Sequence, residues 1–351
     1  MTTFSIIVPV YNVDRYLSTA LDSFVNQTYR DIEIVCVDDG STDKSPLILD
    51  RYAQMDNRIK IITQQNSGTY LARRRGVEDA HGDYIMFVDP DDWIDLNTCE
   101  SLFNILEKNP VDILQYGFEI EVEGKIPSKE ATNIDKFFNR QQEELTGRDS
   151  IITESYIKGS IAYNQCGKVF RKEVVQNAFS SMPPVRCIFA EDLCSSFFIF
   201  QFTNTYRATP QRMYHYRVGV GISTKSTLSL SEYKQTLESF KMLEAIESYI
   251  ERNHLPQELY SQIVNKIRSE INASAFALGY MRIKEKCQLE DWLSPFCESA
   301  KLPQTVLFIA KSMESHAAHL ERKISRRQRT IKLLIILCTL LLSLLIIQAI
   351  L

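Results

Sequence analysis

Asp89 and Asp91 stand one residue apart at the end of the apolar run Tyr84 to Val88. Two carboxylates so spaced at a strand end can hold a hard divalent cation, leaving substrate phosphates and water to complete its shell. That arrangement suits a nucleoside diphosphate. The plainer reading of Asp89-Pro90-Asp91-Asp92 is a turn in which Asp92 opens a helix. Three other apolar runs end in polar clusters, namely Pro9-Val10-Tyr11-Asn12, Asp38-Asp39-Gly40-Ser41 and Gln64-Gln65-Asn66-Ser67-Gly68. Each alone reads as a turn. Together they mark a site, because ligands of open α/β sheets bind at the carboxyl ends of the strands. The chain has no GxxxxGK[ST] loop and no GxGxxG fingerprint, so phosphate must be held by a metal and side chains.

A second acidic pair, Glu191-Asp192, opens an apolar helical stretch. Acids favour the positive end of a helix, so the pair is explained without catalysis. Farther on, in RMYHYRVGVGIST, period-two alternation puts His215 and Arg217 on one strand face. Arg217 could neutralise a leaving diphosphate, and a neutral His215 could complete a metal site with Asp91. Structural roles remain open for both.

The elements that must carry these residues alternate. Strands are expected at Phe4 to Val10, Ile32 to Val37, Ile59 to Thr63, Tyr84 to Val88 and Asp112 to Phe118. Helices are expected at Arg15 to Asn26, Ser45 to Met55, Thr69 to Ala80 and Thr98 to Lys108. This pattern predicts βα units around a mostly parallel sheet with helices on both faces. Residues 124–142 are polar and without periodicity, and are expected to be a surface excursion before a helix capped by Thr146. Beyond about Leu228 the pattern is helical, with breaks at Pro256, Pro295 and Pro303. The expected organisation is an α/β catalytic domain at 1–227, an all-α domain at 228–330 and a transmembrane helix at 331–351.

Composition narrows the partners. The net charge of −4 gives no global case for nucleic acid, whose polyanionic backbone selects basic surfaces. The eight cysteines are scattered, with no CxxC pair and no secretory signal, so they read as reduced and mostly buried. Residues 331–351 carry one lysine and one glutamine among apolar or small residues, enough helix to cross a bilayer core of roughly 30 Å. Arg322, Lys323, Arg326, Arg327, Arg329 and Lys332 flank it and predict a cytoplasmic catalytic face on a single-pass inner-membrane protein. Val306, Ala310, Met313, Ala317, Leu320 and Ile324 recur on one helical stripe, a candidate homo-oligomer seam or ordinary packing.

The runs SIIVPVYNVDRYLSTALDSFVNQTY, EIVCVDDGSTD and QNSGTYLARRRGVEDAHGDYIMFVDPDDW resemble the catalytic domain of family 2 glycosyltransferases with the GT-A fold, over about Thr3 to Ser223. The resemblance implies that Pro9 and Tyr11 line a base pocket, that Asp39 bonds a pyrimidine, and that Asn66 and Arg73 complete the nucleotide subsite. Asp89 and Asp91 match the family's DxD element, Asp89 toward ribose and sugar and Asp91 on a Mn2+ or Mg2+ ion. FAEDLCSSFF resembles the ED motif, which makes Asp192 the base. Glu191 and Asp92 are then candidates on the sugar and acceptor side, and Arg217 belongs to the closing Y-x-Y-R element. Arg74 departs from the asparagine common there, and Gln165 to Lys168 falls where relatives place acceptor-side residues. The implied reaction is inverting transfer from a nucleotide sugar, with UDP as the expected nucleotide, to a saccharide or lipid-linked hydroxyl. A catalytically idle sugar-nucleotide scaffold and a nucleotidyltransferase stay open. A processive polymer synthase does not fit, because neither Trp93 nor Trp292 is preceded by arginine and a single span is expected.

Overall fold

The computed structural model describes residues 3–123, 128–187, 190–219 and 239–282. Within them the chain runs β1 (Phe4–Val10), α1 (Asp14–Val25), β2 (Ile32–Asp38), α2 (Ser45–Met55), β3 (Ile59–Thr63), α3 (Thr69–Asp79), β4 (Tyr84–Phe87), β5 (Trp93–Ile94) and α4 (Thr98–Lys108). It continues through β6 (Ile113–Val122), α5 (Ser128–Phe138), β7 (Glu144–Thr146), α6 (Arg148–Ile152) with a π-helical extension (Thr153–Lys158), and β8 (Lys168–Arg171). The last elements are α7 (Lys172–Ser181), α8 (Glu191–Gln201), β9 (Thr205–Val218), α9 (Ser239–Arg252) and α10 (Gln257–Arg282).

Among the described residues nine strands make one mixed sheet, ordered β3-β2-β1-β4-β8-β6-β9-β5, with β7 also on β9. The first half is parallel, as the βα alternation predicts, and β1 and β2 are buried along their whole length. β1 therefore reads as a continuous apolar run, the mark of a strand covered on both faces. The second half is antiparallel where β8 joins β4 and β6, and parallel again where β6 meets β9. This mixed half carries the elements that the alternation pattern missed. β5 and β8 are too short for a period to show, and β7 lies in a polar stretch.

The 124–142 stretch departs from expectation. It holds α5, whose Phe138 packs on Phe118 and Tyr216 at ring distances of 4.8 and 4.6 Å. Asn139 then brackets the Phe118 backbone, accepting from its N–H at 2.8 Å and donating to its carbonyl at 3.1 Å. Those bonds fall where the β6–β9 register shifts at Gly117, so a side chain supplies what the ladder loses there. Thr146 does not cap a helix. It ends β7, and Gly147, at φ 92°, precedes α6.

The described residues up to Ile267 belong to one compact unit, so α9 and the first part of α10 are part of it, while α10 continues from Arg268 into a second. Tyr249 of α9 sits edge-on to Phe197 and Phe198 of α8, and the Tyr260 hydroxyl of α10 bonds Gln201 at 3.2 Å. No disulfide forms among the described residues, and their five cysteines are buried. Among the described residues no helix is long and apolar enough to cross a membrane. The expected span at 331–351, its basic flank, the stripe from Val306 to Ile324, and Pro295 and Pro303 lie outside them.

Candidate active site

The carboxyl ends of β1, β2 and β3 bring three of the polar clusters together through their own side chains, and β4, paired with β1, carries the fourth. Asn12, in the left-handed region at φ 49°, accepts from the Thr42 and Asp43 amides at 2.8 and 3.3 Å, which joins the loops after β1 and β2. Pro9 is buried in β1 opposite Val37, whereas Tyr11 lies at the surface, 37% exposed. Asp39 is buried and holds the loop before α3. One of its oxygens accepts from the Ser67 amide at 2.7 Å and the Gln64 side chain at 2.8 Å, and the other from the Gly68 amide at 2.8 Å. Asn66 donates to the Asp39 carbonyl at 3.1 Å and accepts from Arg186 at 2.7 Å. Gly40, at φ 74°, lies so close that a Cβ would meet the Asn66 amide nitrogen at 3.0 Å.

At the end of β4 the acidic turn is held from β9. The Tyr214 hydroxyl accepts from the Asp89 amide at 3.1 Å and donates to Asp92 at 2.8 Å. The other Asp92 oxygen accepts from the Arg217 amide at 2.8 Å, so Asp92, 2% exposed, is an internal brace of the turn. Burial, with Asp91 and Asp89 nearby, pushes its carboxyl well above the usual range. Burial, helped by the negative charge of Asp89, also pushes Asp91 up to about 6. The Asp91 backbone carbonyl accepts from Arg217 at 2.9 Å, and no other described residue donates a hydrogen bond to the Asp91 side chain.

The second acidic pair arrives from far along the chain. Ala190, in the left-handed region at φ 55°, turns the backbone so that Glu191 and Asp192 open α8. A non-glycine residue in that region carries strain, which gathers at functional sites. Arg73, on the buried side of α3, joins this pair to the acidic turn. One Nη donates to Asp192 at 2.6 Å and the other to Asp89 at 2.9 Å. The guanidinium is 3% exposed, while the two carboxylates are 31% (Asp89) and 29% (Asp192) exposed. Burial raises the Asp192 carboxyl despite the opposing Arg73 charge, and burial with the Asp192 charge pushes Glu191 up to about 7. Lys168 of β8, 1% exposed, donates to the Asn164 carbonyl at 2.6 Å. Burial brings its amine down to about 7, against the pull of Asp192.

His215 and Arg217 do share a strand face, and Trp93 takes both. The His215 ring stacks on Trp93 at 4.9 Å, and the Arg217 guanidinium lies 4.7 Å from the Trp93 ring and 4.7 Å from Tyr16. Arg217 donates to the Asp91 carbonyl at 2.9 Å and pairs with Glu123. His215 has Asp95 at 2.8 Å on Nε2 and Glu121 at 3.0 Å on Nδ1. Burial opposes its charge, but those two bonds raise its pKa. Both nitrogens of His215 thus face carboxylates other than Asp91. Arg74 instead donates to the Met182 carbonyl at 3.0 Å and pairs with Glu78.

The sequence placed Tyr214 in the Y-x-Y-R element and Lys168 in the acceptor-side stretch 165–168 without a role for either, and it did not single out Arg186. A tyrosine at an inward position of an alternating strand and a lysine directly before the apolar pair Val169-Phe170 were signals for the first two. Nothing local marks Arg186, whose part depends on the fold bringing it to Asn66.

Residues 5–178 match the family described as glycosyl transferase family 2. Through this domain the chain belongs to glycosyl transferase family 2. EpsH of Bacillus subtilis strain 168 is 33% identical over 216 residues, 61% of this chain and 60% of that protein. The glycosyltransferase GlyA of Streptococcus pneumoniae serotype 4 is 47% identical over 109 residues, 31% of this chain and 16% of its own length. The matches thus span less than two thirds of either relative. Among solved structures, S. aureus TarS 1-349 in complex with UDP-GlcNAc aligns with a TM-score of 0.58 at 20% identity, over 84% of this chain and 79% of that one. The fold of this family 2 chain is therefore the GT-A-like α/β fold, with a mixed sheet flanked by helices.

Proposed function

We propose that this family 2 chain transfers a sugar from a nucleotide donor to a hydroxyl of a saccharide or lipid-linked acceptor in cell-envelope polysaccharide or glycolipid synthesis, with inversion at the anomeric carbon. One observation carries the reading: buried Arg73 draws Asp89 of the DxD turn and Asp192 of the ED pair, 103 positions apart in sequence, onto a single guanidinium. Structural salt bridges alone give no reason to gather Asp91, Asp92 and Glu191 around them.

The acids fit a divalent cation. Asp91 is raised toward neutrality by burial and a neighbouring negative charge, and a metal would relieve that by taking its oxygen. Among the described residues no three His, Cys, Asp or Glu side chains converge as a closed metal cage. An open shell, completed by diphosphate and water, is how Mg2+ is ordinarily held, and Asp91 is the carboxylate that would serve Mn2+ or Mg2+ here. His215 can ligate only by giving up Asp95 or Glu121. When bound, the ion neutralises charge on the diphosphate as it leaves.

The chain's own residues supply the rest. Pro9, Tyr11 and the loops that Asp39 and Asn66 hold together form the edge that receives the nucleotide, and Arg217 offers a cation beside the DxD turn. The acceptor oxygen attacks the anomeric carbon and its proton passes to Asp192. The bond from that carbon to the diphosphate oxygen breaks, and the electron pair leaves on the diphosphate. A base on the side opposite the leaving group gives inversion, through an oxocarbenium-like transition state.

Residues 331–351 are proposed to anchor the enzyme with its catalytic domain on the cytoplasmic face of the membrane, and 306–324 to carry any self-association. The test of the function is a panel of nucleotide sugars, UDP sugars first, assayed separately for nucleoside diphosphate, pyrophosphate and glycoside. Nucleoside diphosphate with an inverted glycoside supports transfer. Pyrophosphate without glycoside would make the chain a nucleotidyltransferase, and binding without turnover an idle scaffold.

A further inference from the structure

We infer that Arg73 is a positioning residue for the acceptor-side base, a hidden guanidinium that fixes the Asp192 carboxylate against Asp89 so that the base and the donor-side acid are set as one unit. The inference rests on the transferase reading above and assigns Arg73 a task other than contacting the nucleotide.

The geometry separates the two tasks. A nucleotide contact needs donors at the surface, yet the Arg73 side chain is 3% exposed and each Nη is already directed at a carboxylate. Its Nε is buried with no hydrogen-bond partner, so the side chain is held for its two Nη contacts at the expense of the Nε donor. The carboxylates remain near one third exposed in front of it. Each is gripped through Oδ1, which leaves Asp192 Oδ2 free of Arg73 to meet an acceptor hydroxyl. A stability role alone explains this poorly, since a buried ion pair is often no better for folding than well-packed apolar side chains.

The charges facing Asp192 come from Arg73 on α3, Asp89 after β4, Lys168 on β8 and Glu191 beside it on α8. Arg73 is the one of these that donates a hydrogen bond to the Asp192 side chain. A nearby positive charge favours the ionised, proton-accepting form of a carboxyl group, and its removal has the opposite effect. Arg73→Gln should therefore move the acid limb of kcat to higher pH, while Arg73→Lys, which keeps the charge but loses the fork, should move it less.

The experiment uses the full chain with Mn2+ and the UDP sugar that it turns over, comparing wild type, Arg73→Lys and Arg73→Gln. Donor affinity is measured by calorimetry, and kcat, acceptor KM and the pH profile by product formation. Positioning predicts a kcat loss of about 10²-fold in Arg73→Gln with its acid limb shifted upward, donor Kd within about threefold of wild type, and partial recovery in Arg73→Lys. Donor Kd weakened with kcat and the acid limb unchanged would overturn it in favour of a nucleotide contact. If neither variant folds, the guanidinium 15N–1H signals of the intact chain decide: a slowly exchanging arginine signal that shifts in Asp192→Asn supports the pairing, and an unaltered arginine spectrum overturns it. Wild type inert toward every nucleotide sugar would sink the transferase reading itself, whatever the arginine spectrum shows.

Discussion

Tyr214 donates its hydroxyl to the buried carboxylate of Asp92 at 2.8 Å, which makes β9 the scaffold for the acidic turn after β4. The same oxygen accepts from the Asp89 amide, so the DxD geometry is set by a residue more than 120 positions away.

Tyr214→Phe should therefore loosen the turn without emptying space. It leaves the Asp89 amide and one Asp92 oxygen short of a partner, at a cost of about 1–3 kcal/mol in stability. Denaturant midpoints and donor KM should both worsen. A variant with unchanged midpoint and kinetics would show that Tyr214 does not brace the site.

Asp91→Ala should abolish metal-dependent donor binding while the fold survives, because the Asp91 side chain holds no other described residue in place. Chelation by EDTA should mimic it. Calorimetric titration of donor with and without Mn2+ checks the point, and activity that persists in full in chelator would exclude the metal role.

Lys168 predicts a pH signature. Its folded pKa, down at about 7, lies below the ordinary lysine value, so the unfolded state binds more protons from about pH 7 upward. Stability gains from this group as pH rises through that window, and the penalty for burying the charge is present in full below it. Buried thiols and tyrosines with raised pKa values act in the opposite sense at high pH, so the informative quantity is a difference. Between pH 7 and about pH 9, wild type should gain stability relative to Lys168→Met. Parallel stability curves for the two proteins would mean that Lys168 keeps its charge in the fold.

Deleting residues from Ile331 onward should give a soluble protein that still consumes its donor, since every proposed site residue precedes Ser223. Activity on a membrane-borne acceptor should fall more than activity on a short soluble analogue, because anchoring raises the local concentration of enzyme near lipid-linked substrate. Equal losses on both acceptors would deny the tail that role. Light scattering of the tail-less chain, with and without lysines at Met313 and Leu320, tests whether 306–324 is a seam.

The parallel half of the sheet was legible because each βα unit repeats a strong local signal. β1, α2, β3 and α4 fall at the expected bounds, and α1, β2, α3 and β4 within one residue. In the mixed half β6 was expected but runs past Phe118 to Val122, and β5 and β8 were not legible, because they owe their existence to partners already in place rather than to local preference. The site shows the same division. Residue types at strand ends marked Asp39, Asp89 and Asp91, and a helix start marked Asp192, but pairings across the fold decide what each side chain does. Asp92 became a brace, His215 went to Asp95 and Glu121, and Arg73 went to two acids that no local pattern connects.

The most direct test of the transferase reading is Asp192→Asn, assayed at once for donor binding and for glycoside formation with the donor that wild type uses. An amide keeps the shape but cannot take the acceptor proton, so nucleotide-sugar affinity should hold while turnover falls about 10²- to 10⁴-fold. Near-normal turnover in Asp192→Asn, with donor bound as in wild type, would contradict the assignment of the base and the direct displacement built on it.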